Sequence, residues 1–203
     1  MGVIHHVDQC LRALLSGPDG APAISFDVPT PGWAAEVAPP ALNLFLYDVR
    51  EYVDARAADW EDVRDGAGRV LGRRPPTRHY LLSYLVSAWA KTADEEHRML
   101  GEVLAAIPDR ETIPPGALAA PFIEEQRAVQ VRIAVPGAGA GAAGWELWSS
   151  LGHPPRASLE LVVVAPLVAP VDADLAVPPE RVNLAVARDG DPAPERRESV
   201  RPG

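Results

Sequence analysis

The sequence predicts an α/β (α+β) fold: a mixed or antiparallel central sheet of five to six strands, packed by helices. Three observations carry this reading. Segments with apolar residues at alternating positions recur along the chain, and stretches with apolar residues three and four apart lie between them. With 22 Pro and 16 Gly among 203 residues, long helical bundles are disfavoured and short elements joined by turns are favoured. The 47% apolar and 23% charged composition supports one core, and a single cysteine means that no internal disulfide holds it.

The elements follow in chain order. Val3, Val7, Cys10 and Leu14 form a helical stripe widened by Ile4, Leu11 and Leu15, and Gly17 and Pro18 end it. Cys10 reads as a small buried hydrophobe, and the adjacent His5 and His6 do not converge on a metal ion. Ile24, Phe26 and Val28 alternate as a short strand before a turn at Pro29, Pro31 and Gly32. Ala41 to Arg50 carries apolar residues on both faces, Leu42, Leu44 and Leu46 against Phe45, Tyr47 and Val49, as a covered strand should. Arg78 to Ala90 is a second strong strand. Between them residues 51–76 are charged, turn at Asp65 to Gly68, and read as the outer part of an elongated hairpin projecting from the body.

A helix follows, capped by Thr92 or Asp94, with Met99, Val103 and Ile107 on its buried stripe and Pro108 at its end. Asp94, Glu95 and Glu96 read as an exposed acidic first turn. Ile113 to Glu125 holds one short helix, and Val129 to Val135 is a strand with one wetter face. Gly137 to Gly144 lacks the Lys and the Ser or Thr of a phosphate loop and reads as a connection. Trp145, Leu147, Trp148 and Leu151 fit a short helix stopped by Gly152, Leu159 to Ala165 is strongly strand-like, and a weak last strand runs from Val182 to Val186. The expected organisation is a single domain over residues 1–188, with the projecting hairpin near 51–76, and a disordered tail at 189–203.

Nineteen basic against 28 acidic residues give a net charge of -9, which argues against a nucleic-acid partner. No 18-residue apolar run argues for direct membrane insertion, and no leader segment is evident, so cytoplasmic folding is expected. No nucleophile elbow, His-Glu-x-x-His pattern or ligand cluster is present, so the expectation is no enzyme, no catalytic or metal residues and no cofactor. Trp89 and Trp148 read as core residues; Trp33 and Trp60 lie in polar or turn-rich segments suited to partner contact.

Four segments together carry a resemblance: IHHVDQCLRALL, FDVPTPGWAAEVAPPALNLFLYDVREY, RPPTRHYLLSYLVSAWAKTADEEHRMLGEVLAAI and LWSSLGHPPRASLELVVVAPL. Over about Val3 to Leu167 the chain resembles the Pvc16 N-terminal domain family of contractile injection systems, particles similar to phage tails. The resemblance implies a cap, or tail terminator, that closes the distal end of the inner tube and contractile sheath. It implies the α/β architecture of phage tail terminators and, by analogy, a self-assembled six-membered ring touching sheath and tube subunits. Such particles remain inside the cell or are released. The family landmarks fall on Asn43, Tyr47, Arg50, Arg74, His79, Tyr80, Leu81, Trp89, Leu147 and residues 148–152. Asn43, Tyr47, Tyr80 and Trp89 are expected to serve the fold, and Arg50, Trp60, Arg73 and Arg74 are the candidate assembly contacts, the arginines as a cationic patch. Two other readings stand beside it, a monomeric adaptor for effector or particle assembly and a small hydrolase acting on the cell envelope.

Overall fold

Strand β2 (Ala41–Glu51) and strand β5 (Arg78–Trp89) run antiparallel from Ala41 opposite Trp89 to Glu51 opposite Tyr80. The computed structural model describes residues 2–17, 22–55, 59–134 and 144–169. Strand β7 (Ser158–Leu167) pairs antiparallel with the other side of β5, β6 (Gln130–Ile133) pairs antiparallel with β7, and β1 (Ala23–Ser25) lies parallel to β2. The resulting mixed sheet has the order β1-β2-β5-β7-β6. The expected weak strand at Val182 to Val186, the connection over residues 137–143 and the tail at 189–203 lie outside the described residues.

One face of the sheet is covered by helix α1 (Val3–Leu15) and helix α3 (Ala93–Ala106). Alternation sends Leu42 and Leu44 of β2, Leu82, Tyr84 and Val86 of β5, and Leu161 and Val163 of β7 to this side. They meet Val7, Cys10 and Leu11 of α1 and Met99 and Val103 of α3. Each fully buried aliphatic side chain here contributes about 1.5–3 kcal/mol. The helix α3 cap is Thr92, whose Oγ1 accepts a hydrogen bond from Glu95 N at 3.3 Å. Cys10 is buried, its thiol is pushed up by burial, and its Sγ accepts from Ala119 N at 3.1 Å, so it packs as a small hydrophobe.

The opposite face is covered by two short helices, α2 (Pro31–Glu36) and α5 (Gly144–Ser150). From sequence the first is expected to be a turn. Thr30 caps it, accepting from Trp33 N at 3.2 Å, and Pro31 sits where its missing N–H has no helical partner to lose. Trp33, partly buried, packs there: its ring lies 5.2 Å from that of Trp89, edge to face, and that of Trp148 lies 6.3 Å from Trp89. The single helix expected over Ile113 to Glu125 is two pieces, a 3-10 turn at Pro115–Ala117 and α4 (Ala120–Glu124).

The chain divides into two compact units, one containing the five-stranded sheet and the other containing residues 61–74. The latter form the hairpin of β3 (Glu61–Arg64) and β4 (Val70–Arg74). Its turn is closed by Asp65, whose Oδ1 accepts from Ala67 N and Arg69 N at 2.9 Å each, while Gly68 adopts φ 81.

Gly152 ends α5. His153 N donates to Trp148 O at 3.0 Å and Gly152 N to Ser149 O at 3.1 Å, the paired bonds of a left-handed helix stop, with Gly152 at φ 80. Replacing Gly152 by Ala should lower stability by about 1–2 kcal/mol, because only glycine enters that region without a Cβ penalty, and Gly152→Asn should lose less. Denaturant melts of the two variants check the order.

On the first face Tyr84, fully buried, donates from its hydroxyl to Asp8 Oδ1 at 2.8 Å. Burial raises the Asp8 carboxyl above its ordinary 3.8, outweighing the Tyr84 hydrogen bond and the nearby His5 and Arg12 charges. A carboxyl raised on folding favours the folded state below its unfolded value and loses that contribution as pH rises through the folded value. Asp8→Asn, which keeps an acceptor for Tyr84, should flatten the stability profile just above pH 3.8. Tyr84→Phe should cost about 1–3 kcal/mol by leaving a half-buried carboxylate without its donor. Melting midpoints across that pH range test both.

Candidate functional site

The site is a set of surfaces, built from what the sheet and hairpin leave exposed. In β3 and β4 the register sets Glu61 opposite Arg74 and Asp62 opposite Arg73. Both pairs are ion pairs, Arg74 Nε to Glu61 Oε2 and Arg73 Nε to Asp62 Oδ1, at 2.9 Å each, and Arg64 Nη2 reaches the second oxygen of Asp62 at 2.9 Å. The two candidate arginines differ: the Arg73 side chain is 59% exposed and that of Arg74 only 15%. They hold the hairpin register as cross-strand pairs. With four arginines against three carboxylates over residues 61–74, the hairpin carries little bare charge. Leu71, 56% exposed, lies on the same strand two residues before Arg73, so β4 exposes an apolar as well as a cationic side chain.

Arg50 belongs to the sheet unit, and its Nε pairs with Asp48 Oδ2 at 2.7 Å. A bulge decides where it lies. Leu46 faces Tyr84, and the next registered pair is Asp48 with Ser83, so Tyr47 is the extra residue. Beyond it Val49 faces Leu82, and Arg50 faces Leu81. The sequence alternation put Val49 with Phe45 and Tyr47; the inserted residue exchanges the faces, sending Val49 to the α1 side and Arg50 to the tryptophan side. Tyr47 donates its hydroxyl to Glu160 Oε1, and burial together with that carboxylate holds the phenol well above its ordinary range. Trp60, the remaining candidate, is 55% exposed.

The sheet edges are the other available surfaces, and most of them are closed. At β1 the Ile24 carbonyl accepts from Arg12 Nη1 at 2.8 Å. At β6, Thr112 bridges to Gln130, with Ile113 N donating to Val129 O and Val131 N to Glu111 O, both at 2.9 Å. Glu111 makes this possible by taking φ 51 just after α3, turning the chain onto the β6 edge. Covering an edge in this way prevents stray strand pairing.

Sequence reasoning missed Arg156. Its guanidinium lies 3.9 Å over the Trp89 ring, donates to Ala88 O at 3.2 Å, and pairs with Glu96 Oε1 at 2.5 Å. Glu96, read as part of an exposed acidic turn, is thereby a partner of β5 and β7 and also accepts from Ala90 N at 3.3 Å. No local pattern marks this triad, since its members are 60 and 68 residues from Arg156 in the chain. His153 packs against Trp89 and Trp148 at 5.5 and 5.9 Å, and His97 sits on the exposed side of α3. Among the described residues no three His, Cys, Asp or Glu side chains gather as a metal site, and no helix is long and apolar enough to cross a membrane.

A family model described as the Pvc16 N-terminal domain matches residues 2–181. The chain belongs to that family. Its fold is shared with the sheath/tube terminator of PVC, an extracellular contractile injection system, in the extended state: 23% identity, TM-score 0.65, covering 93% of this chain and 64% of that one. It is shared also with the tube terminating cap of the anti-feeding prophage: 24% identity, TM-score 0.57, covering 91% of this chain and 60% of that one. The chain thus spans less than two thirds of the length of either cap. Comparison with curated proteins finds no match.

The hairpin pairs predict a charge-swap result. Arg73→Asp alone should lower hairpin stability by less than about 1 kcal/mol, because its ion pair is exposed. Combined with Asp62→Arg it should recover in part, since the 62–73 pair re-forms while Arg64 loses Asp62 as its partner. Arg74→Glu, which sets a carboxylate opposite Glu61 in the less exposed pair, should loosen the hairpin more than Arg73→Asp does. Amide exchange over residues 61–74 reads all three.

Proposed function

We propose that this chain is a structural cap, the terminator that closes the distal end of the inner tube and contractile sheath of a contractile injection system. The observation that carries the reading is the fold, shared over nine tenths of the chain with two terminators from such particles, together with membership of the family. The role is recognition. A cap needs one face that repeats the stacking contact of the preceding ring and an opposite face that cannot continue it, and neither demands a reaction.

The cap acts as a ring of identical subunits, six by analogy with phage tail terminators, assembled in the cytoplasm onto sheath and tube subunits. A closed ring requires two different complementary surfaces on each chain. Arg50, Trp60, Arg73 and Arg74 are the proposed contacts. Because Arg73 is the most exposed of the paired hairpin arginines and lies beside Leu71, it is the first to test for contact with a neighbour. The Asp62→Arg with Arg73→Asp swap separates roles, since it keeps an ion pair between positions 62 and 73 while reversing the charge at position 73.

Electron microscopy of particles made without this protein is the direct experiment. Sheaths that fail to stay assembled, or tubes of irregular length, are expected, and uniform particles with intact distal ends would overturn the reading. Particles carrying the swapped pair should be capped less completely than those with the native pair.

A further inference from the structure

Helix α4 is stopped in the same way as α5, with a different residue at the critical place. Arg127 N donates to Phe122 O at 2.8 Å and Gln126 N to Ile123 O at 3.0 Å, and Gln126 takes φ 52. In α5 the equivalent position is Gly152. A glutamine there meets the Cβ crowding that glycine avoids, so the fold holds a strained residue where glycine would relieve it, and such strain collects at functional sites. What glutamine has and glycine lacks is a side-chain amide. That side chain lines a cavity.

The cavity measures about 290 Å³ and lies at the end of the sheet where β5 begins. Its floor is one face of the sheet: Val164 faces Gln130 of β6 and Leu81 of β5, and His79 is two residues before Leu81. Tyr52 stands beside His79 because its N–H donates to His79 O at 2.8 Å. The left-handed stop brings Gln126 and Arg127 to the wall. Tyr52, His79, Gln126, Arg127 and Gln130 are all lining residues with hydrogen-bond donors on their side chains. Among the described residues no Asp or Glu lines it, in a chain with 28 acidic residues and a net charge of -9.

We propose that this cavity binds a carboxylate. Arg127 supplies its one permanent positive charge, which balances a monoanion and leaves a phosphate dianion in excess; the planar guanidinium also matches the two oxygens of a carboxylate. Arg127 Nε is shielded from solvent, which strengthens the attraction. Arg127 and His79 have other partners as well, but a guanidinium has five donors and one partner does not exhaust it. The carboxylate belongs either to a free small acid or to an Asp or Glu side chain of another protein chain, and the group recognised is the same. The site stands whether or not the chain is a cap.

Titration of the full chain with sodium acetate at constant ionic strength, followed through side-chain nitrogen resonances, reads the site. A saturable shift of Arg127 Nε–H and of the Gln126 and Gln130 amides is expected, with exposed Arg73 unmoved. Gln126→Gly should melt higher than the native chain and bind acetate several-fold more weakly, a combination that a purely structural Gln126 does not give. Arg127→Met should weaken binding about tenfold or more, and phosphate should bind more weakly than acetate. Should Arg127→Met fail to fold, Gln126→Gly decides. Shifts that do not saturate, that appear equally at Arg73, or that survive in both variants would overturn the site, and tighter binding of phosphate would overturn its assignment to a carboxylate. Once acetate binding is established, native mass measurement with tube and sheath subunits separates the two sources. Complexes that weaken with excess acetate and with Gln126→Gly assign a partner's side chain, and complexes indifferent to both assign a free acid. Loss of capping with acetate binding intact bears on the cap reading alone.

Discussion

Everything in the sheet unit is arranged around the fact that β5 has no side facing solvent along its second half. From Leu82 to Trp89 every residue is buried, with β2 on one edge, β7 on the other and helices on both faces. A strand so enclosed must satisfy each polar group within the protein. Tyr84 does so through Asp8, which fixes the position of α1, and Ser87 accepts from Trp89 Nε1 at 3.0 Å. At the strand end Arg156 and Glu96 enclose Trp89 and the Ala88 carbonyl, linking the start of β7 to the first turn of α3. This ion pair is roughly three-quarters buried, with its two side chains 24% and 22% exposed, and the Trp89 ring and the Ala88 carbonyl supply further partners for the guanidinium.

Much of this architecture was legible in the residues. The period of α1 and α3 and the two-sided apolar runs of β2, β5 and β7 report burial directly, and burial determines the period. What was not legible has physical reasons. Helix α2 is only one and a half turns long, too short for periodicity to show, and Pro31 and Gly32 look like turn residues unless Thr30 is seen as a cap. Trp33, set in that segment, looked like a surface residue for the same reason. Arg156 and Glu96 meet only after the strands pair, so no spacing announces them. The candidate arginines were found as cations, but their carboxylate partners depend on hairpin register, which a one-residue shift would have changed.

The treatment of the edges bears on what the sheet can pair with. A protein that must associate in a defined way has to suppress the pairings that would compete with it. Arg12 at β1 and the Glu111 turn at β6 use side-chain and backbone donors and acceptors that helices or solvent would otherwise satisfy. Glu111 holds a left-handed conformation to do so, and such strain persists only where surrounding structure maintains it. The sheet is thus selective about where it accepts hydrogen bonds, independently of which partner supplies them.

The bulge at Tyr47 divides β2 into two halves of opposite phase. The first half is anchored by pairing with β1 and by Asn43, whose Nδ2 donates to Asp27 O at 2.9 Å; the second half carries Asp48, Val49 and Arg50. A single residue lost at this point would remove the bulge and leave Asp48, Val49 and Arg50 opposite Ser83, Leu82 and Leu81, each on the face it now occupies. Register with β5, more than parity along β2 itself, governs what the outer half presents. A relative that lacks the extra residue therefore offers the same surface with no interchange of the polar and apolar positions beyond it, and an alignment that places the gap a few residues away would set residues of opposite faces against one another.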